Sequence, residues 1–329
     1  MSKRAFYTFV IFSLFSSCSQ PAEDHGNFSI GVNQSIKSAP VVLASRLGLY
    51  QKAGLSVGIE IESSAVDLME GLLTNKYDVI CIPENQAVIH AVTNDQFRII
   101  AVLNRNQSRY LVMDDRSLQD PSELSGMHIG LAADSATGYS LYRILLFNGI
   151  PETDVTTLYL DPLDLPAALA RGEVDAIIAW EPFTSLAMQA LGSHGRAMNA
   201  HLGRDMYWLL VTRLDVAQTR SHDLSALLIA LDHSISRLNR DTIRTLQMCS
   251  SALALSEDSV KKEWEDYTFY LELPQSLLLA MEQEGAWYHE RYNIGGSLPE
   301  YLDLIDGRSL ARVLEKRVTM VGIGTSNVP

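Results

Sequence analysis

Two hydroxyl side chains in the run Asp134-Ser135-Ala136-Thr137-Gly138 stand where a helical pattern begins, a placement that suits them to hold an anion. The first N–H groups of a helix lack intrahelical acceptors and lie at the positive end of its dipole. A ligand oxyanion can therefore take those donors together with the hydroxyls. Ser135 can equally cap its own helix. A second turn, Gln34-Ser35-Ile36-Lys37-Ser38-Ala39-Pro40, offers Gln34, Ser35 and Ser38 in the same way, or is a polar turn that caps the next helix. Carboxylates complete the set. Glu84 and Asn85 follow the apolar run 77–82 and Pro83, and Glu181 follows the apolar run 174–179 and Trp180. A carboxylate at such a corner can meet a ligand amine; the alternative places Trp180 in the core and makes Glu181 an N-cap. Asn104 and Arg105 lie near one expected chain crossing, Tyr207 and Trp208 near another. Arg105 is the one cation singled out there, and a surface role suits it better.

These residues need a common edge to act together, and the pattern of elements supplies one. Residues 127–131 read as a strand. A helix opens at 134–138, carries Leu141, Ile144, Leu145 and Phe147 at three-to-four spacing, and closes at Asn148-Gly149, where glycine suits a left-handed cap. A strand at 155–160 follows, then a helix begun by Asp161, Pro162 and Asp164 and stopped by Gly172, then a buried-type strand at 174–179. Right-handed crossovers put both strand-to-helix turns of this βαβαβ unit on one sheet edge, where open α/β sheets bind ligands.

The N-terminal half has the same order: a strand at 27–33, a helix ending near Gly48 or Gly54, a strand at 57–61, a helix at 66–73 and a strand at 77–82. Residues 97–103 and 110–113 carry the chain into the second unit. Residues 207–212 bring it back, and the remainder reads as mostly helical. The expectation is an α/β chain of two lobes, each a mixed sheet flanked by helices, joined by two crossover strands. One lobe comprises 27–104 with 205–329 and the other 105–204.

Composition agrees with two packed lobes. The chain has 329 residues, 47% of them hydrophobic and 20% charged, which is enough for two cores. The formal charge of −13 disfavours nucleic acid as a partner but leaves room for a small anionic ligand, because local donors set the field of a pocket. Lys3 and Arg4 precede an apolar run at 5–15 that is too short to span a bilayer and suits a signal peptide. Phe15-Ser16-Ser17-Cys18 resembles a bacterial lipoprotein box. Residues 1–17 are therefore expected to be a signal peptide, Cys18 the lipidated residue, and 18–26 a tether to a membrane. Cys81 and Cys249 could form a disulfide in an oxidising compartment, but nothing in their spacing pairs them and two separate buried thiols suit them better. No G-x-S-x-G, H-E-x-x-H or P-loop occurs, and the G-x-G at Gly322-Ile323-Gly324 is too weak a signal to use. The eight histidines are scattered; His194 and His201, beside Gly195 and Gly203, read as lying in a loop. No catalysis, cofactor or metal is expected.

Several runs in order carry a family resemblance: 122–141 (S-E-L-S-G-M-H-I-G-L-A-A-D-S-A-T-G-Y-S-L), 169–183 (L-A-R-G-E-V-D-A-I-I-A-W-E-P-F), 273–282 and 299–303. Residues 34–40, 46–55 and 72–85 extend it to the N-terminal half. The chain resembles the periplasmic substrate-binding proteins of ABC importers for nitrate, taurine, aliphatic sulfonates and thiamine-pyrimidine precursors. The resemblance implies a type II periplasmic-binding-protein fold, a cleft that closes on a small polar solute, an ABC permease as partner, and a monomer. It also implies ligand contact at 134–139, where the family reads G-S-T-x-H-Y or similar; here Asp134 replaces the glycine, Gly138 the histidine, and Tyr139 is kept. The W-E-P corner at Trp180 and Glu181 is implied to touch a ligand amine or steady the hinge. An amine-bearing or zwitterionic sulfonate, or a thiamine-pyrimidine precursor, is the expected ligand. A sensing lobe that signals to a membrane kinase is the alternative. A relative that synthesises the thiamine pyrimidine uses an iron-binding histidine and a cysteine-rich motif, and neither is present.

Overall fold

The structure, a computed structural model, describes residues 27–133 and 135–323. Eleven strands follow one another along the chain: β1 (Phe28–Asn33), β2 (Val57–Glu62), β3 (Val79–Pro83), β4 (Phe97–Asn106), β5 (Tyr110–Asp114), β6 (His128–Ala132), β7 (Thr156–Leu160), β8 (Ala176–Ala179), β9 (Gly195–Asn199), β10 (Met206–Arg213) and β11 (Tyr267–Glu272). They form two mixed sheets. The first has six strands in the order β11-β4-β10-β3-β1-β2, and the second has five in the order β7-β6-β8-β5-β9. In the first, β1 runs parallel to β2 and β3, and β10 is antiparallel to β3 and β4. In the second, β6 is parallel to β7 and β8, while β5 is antiparallel to β8 and β9.

The apolar runs become strands because helices cover both faces of each sheet. In β8, Ala176 and Ile178 join Leu141, Ile144 and Leu145 in one core cluster, whereas Ile177 and Ala179 join Leu165, Leu169 and Ala187 in another. Strand side chains alternate between faces, so a sheet buried on both sides leaves no polar position in the run. The helix Thr137–Phe147 buries Leu141, Ile144 and Leu145 on its inner stripe. Phe147 is not on that stripe: it is 80% exposed, because at about 100° per residue it falls well round the helix from Ile144 and Leu145. Gly149 takes φ +68°, the left-handed value its place after the helix favours.

Two stretches differ from the sequence reading. Residues 195–199 form the edge strand β9 against β5, where a loop was expected. The C-terminal part is helical at Leu214–Thr219, Ser221–Arg240, Thr242–Leu253, Glu257–Trp264, Gln275–Arg291 and Arg308–Leu314, but it also supplies β11 as the edge of the first sheet. Tyr267, Phe269 and Leu271 point inward in alternation, and Trp264 stacks on Phe269 at 4.9 Å between centroids.

The chain crosses between the sheets twice, after Asn106 and before Met206, and those two residues pair across β4 and β10. The crossings therefore lie side by side. No described helix is long and apolar enough to cross a membrane. The signal peptide, the tether, Cys18 and Asp134 fall outside the described residues. Cys81 and Cys249 are both buried and unpaired.

Candidate functional site

Where the two sheets face one another, the first contributes the turn after β1. Ser35 accepts from the Lys37 backbone N–H at 3.3 Å and caps the single turn Ile36–Ser38. Gln34 is exposed and its amide donates to the Leu253 carbonyl at 3.1 Å. Ser38 is fully buried, stands at the start of the helix Ala39–Arg46, and its hydroxyl has no protein partner. Asn104, also fully buried, donates to the Lys37 carbonyl at 3.0 Å and accepts from Asn106 at 3.4 Å. Ser108 continues the line by donating to Asn106 at 2.9 Å. This file of amides fixes Lys37 from a segment far away in sequence.

Lys37 is the first cation of the site. Only 7% exposed, it holds its ammonium 5.1 Å from the Trp208 ring centroid and 5.8 Å from that of Tyr267. It forms no ion pair among the described residues. Burial lowers it to about 8, and the charge of Glu263 only partly opposes this. Arg109 is the second. It is 6% exposed and donates to the Ala136 carbonyl at 3.3 Å and to the Ser140 hydroxyl at 3.1 Å, while its Nε has no protein partner. Burial lowers it to about 10 against the opposing charges of Glu84 and Glu284, neither of which pairs with it. A buried cation without a carboxylate is expensive unless something else neutralises it.

The second sheet contributes the turn after β6. The Ser135 hydroxyl donates to the Ala132 carbonyl at 2.9 Å, lies 2.8 Å from Thr137 Oγ1 and accepts from the Thr137 N–H at 3.3 Å; Thr137 Oγ1 also donates to Ala132 at 3.2 Å. The two hydroxyls thus close their own turn, and Ala136 presents its carbonyl to Arg109. Tyr139, on the same helix, lies under the Arg204 guanidinium at 5.1 Å and 5.4 Å from Trp287.

Other expected contacts are engaged elsewhere. Glu84 is buried, with one oxygen accepting from Arg204 at 3.0 Å and the other from the Tyr207 N–H at 2.7 Å. Arg204 also pairs with Glu284 at 2.8 Å. Burial works against the charge on Arg204, but Glu284 and Glu84 outweigh it and raise that arginine; burial raises Glu284 in turn. Glu181 accepts from the Ser185 N–H at 3.1 Å and from its hydroxyl at 3.0 Å, capping the helix Phe183–Leu191, and Trp180 meets Phe183 edge-on at 5.5 Å. Asn85 is 4% exposed with its amide nitrogen unpartnered. Arg105 is exposed and pairs with Asp205 at 3.2 Å.

Ser38, Asn85, Asn104, Ser135 and Thr137 therefore come to the interlobe region, whereas Gln34, Glu84, Trp180 and Glu181 hold local structure. The sequence reading placed Trp208 near a crossing without a role and passed over Lys37, Arg109, Arg204, Glu284 and Trp287 as site residues. Lys37 lay inside a turn already singled out, and Arg109 sits among polar residues between two apolar strands, in a crossing segment; those placements are the only signals the two cations gave.

A family model described as NMT1/THI5 like matches residues 35–240, and the chain belongs to that family. A Bacillus subtilis (strain 168) protein provisionally named as aliphatic sulfonates-binding is 26% identical over 163 residues, 48% of each chain. A protein of the same provisional name from Escherichia coli K12 is 32% identical over 78 residues, 24% of each. These alignments span about half or less of the length of the curated relatives. Among solved structures, the periplasmic aliphatic sulphonate binding protein SsuA of Escherichia coli superposes with a TM-score of 0.73 at 15% identity, covering 84% of this chain and 95% of that one. The alkanesulfonate-binding protein SsuA of Xanthomonas axonopodis pv. citri, bound to MOPS, gives 0.68 at 18% identity over 85% and 97%. The desulfurization enzyme DSZB has the same fold, with a TM-score of 0.67 at 12% identity over 88% and 99%. The fold is that of periplasmic binding proteins, and it hosts both binding proteins and an enzyme.

Proposed function

We propose that this chain is the solute-binding component of an ABC-type importer and captures a small organic oxyanion, a sulfonate above all, between its lobes. The observation that carries this reading is the pair of buried cations, Lys37 and Arg109, which have no carboxylate partner among the described residues while Arg204 has two. A ligand oxyanion would neutralise both, and the unpartnered Ser38 hydroxyl, Asn85 amide and Trp208 indole N–H would add neutral donors. The sulfonate-binding relatives support the ligand class. Ser135 and Thr137 shape the opposite wall, and Asn104 positions Lys37.

The lobes divide near 104/105 and 204/205, and closure about the paired crossings is the working motion. In this reading the protein binds without turnover: both described cysteines are buried and burial raises their thiols, Cys249 to about 12, which disfavours thiolate chemistry. Lipid anchoring through Cys18 belongs to the proposal, with the chain exported and monomeric.

The test is calorimetry with methanesulfonate, taurine, nitrate, sulfate and an aminopyrimidine against wild type, Lys37→Met and Arg109→Met. A sulfonate should bind to wild type and lose at least tenfold in each variant. Binding of the aminopyrimidine alone, or sulfonate binding indifferent to both substitutions, would overturn the assignment.

A further inference from the structure

A cavity of about 80 Å³ is lined by Ser135 and Gly138, which flank the Ala136 carbonyl that Arg109 bonds, and by residues of the first lobe. Its walls are unlike those of an oxyanion site. The helix Gln275–Arg291 and the residue just after it bring Glu284, Trp287, Tyr288 and Tyr292; the second sheet adds Tyr159, at β7; and Asn85 and Ser135 also line it. Trp287 meets Tyr292 at 81° and Tyr288 meets Tyr292 at 45°, so the rings form inclined walls instead of a stack.

Glu284 is 3% exposed, and only one of its oxygens is taken by Arg204; the other accepts no hydrogen bond among the described residues. With Glu84 fully engaged, an ionised Glu284 leaves the triad one negative charge in excess; burial pushes this carboxyl up to about 7, and an ammonium beside it would favour the ionised form. Gly138 makes the space possible. A Cβ there would lie 3.1 Å from the Trp287 ring and 3.7 Å from the Tyr159 hydroxyl, so any larger residue would press on two walls at once.

Size and charge together select the occupant. A cavity that takes benzene measures about 150 Å³, so a phenyl group is too large for this one. Aromatic faces with a carboxylate favour a cation, and quaternary ammonium groups are bound in this way. We infer that this cavity is a subsite for an alkylammonium group, so that the solute is a zwitterion with its oxyanion at Lys37 and Arg109 and its ammonium among Tyr159, Trp287, Tyr288, Tyr292 and Glu284. The inference rests on the oxyanion reading above and names the other end of the same ligand.

The experiment compares two probes of one shape, 3-aminopropane-1-sulfonate and its uncharged-end isostere butane-1-sulfonate, with methanesulfonate as the control for the oxyanion end. Wild type should bind the ammonium probe at least tenfold more tightly than the isostere. Trp287→Leu should abolish most of that preference while changing methanesulfonate affinity less than threefold, Glu284→Gln should abolish the preference as well, and Gly138→Leu should weaken the ammonium probe selectively. Equal affinity for the two probes, or preference for the isostere, in a protein that binds methanesulfonate overturns the ammonium subsite and leaves the oxyanion reading standing. Failure of all three sulfonates to bind overturns both.

Discussion

Replacing Arg109 by methionine separates a binding cation from a structural one. The shift of Arg109 from its ordinary 12.5 to about 10, at about 1.4 kcal/mol per unit, corresponds to a cost of about 3 kcal/mol for keeping the charge in the empty protein. Methionine removes that cost. It also removes two hydrogen bonds, to Ala136 and Ser140, at 3.3 and 3.1 Å. Bonds from a charged donor contribute about 1.5–3 kcal/mol each, and the longer geometry puts these at the low end. The acceptors are not orphaned, because the Ala136 carbonyl still receives the Ser140 N–H at 3.1 Å and its hydroxyl at 3.0 Å. The two contributions nearly cancel, so ligand-free stability should change by less than about 2 kcal/mol. Arg204→Met is the contrast: it strands Glu84 and Glu284 in the interior and should cost about 3–5 kcal/mol. Urea unfolding of both variants without ligand measures the difference, and calorimetry with methanesulfonate measures the function. Arg109→Met should lose about 3 kcal/mol of binding, on the order of a hundredfold. If it destabilises the empty protein as much as Arg204→Met does, Arg109 is structural and the reasoning fails. Unchanged sulfonate affinity would refute it equally.

Three further outcomes follow from particular side chains. Lys37 is lowered to about 8 by burial, so sulfonate affinity should be full below that pH and fall by up to about tenfold per pH unit above it, while ligand-free stability from this group rises between about 8 and 10.5 because the unfolded chain then binds more protons; a flat affinity profile from pH 7 to 10 would exclude its ammonium from the site. Glu181→Ala removes the cap on Ser185 and should cost about 1 kcal/mol of stability, with less than a threefold change in sulfonate affinity; a large affinity loss would return the carboxylate to the ligand. Cys18→Ala should abolish labelling by a fatty-acid analogue and release the protein from membranes, and unchanged labelling would dispose of the lipid anchor.

The fold could be read in the sequence wherever burial on two faces leaves no polar position. The run at 176–179, just after Asp175, could be little else than a central strand, and its Ile177 and Ile178 do pack into opposite clusters. Tyr267–Glu272 carries the alternation of an edge strand, with aromatic and β-branched residues that favour one; surrounded by helical patterns, it was taken for part of them. The site was less legible. Lysine and glutamate are rarely buried unless paired, and nothing local shows that Lys37 is enclosed. Asn104 encloses it across 67 positions of chain, and Glu84 meets Arg204 across 120. Motifs record a turn or a helix start; which charge faces which is set by long-range packing, and here that packing turned Glu84 inward to hold Arg204 and left Arg109 unpaired.

The unpaired cations also bear on how ligand and closure are linked. In the proposed two-lobe arrangement the lobes meet directly: Tyr110, in β5, donates to Asp266, beside β11, at 2.7 Å, and Trp287 lies against Tyr139 and Tyr142. Such contacts favour the closed arrangement, while the desolvation of Lys37 and Arg109 opposes it. A ligand shifts a conformational equilibrium only by its difference in affinity between the two states. On the proposed reading an oxyanion has that difference, because in a closed form it would meet cations stripped of water, and in an open form it would compete with their hydration. The same burial that lowers Lys37 and Arg109 in the empty protein is therefore the source of the ligand's preference for the closed one, and a variant that lost the cations should close without needing ligand.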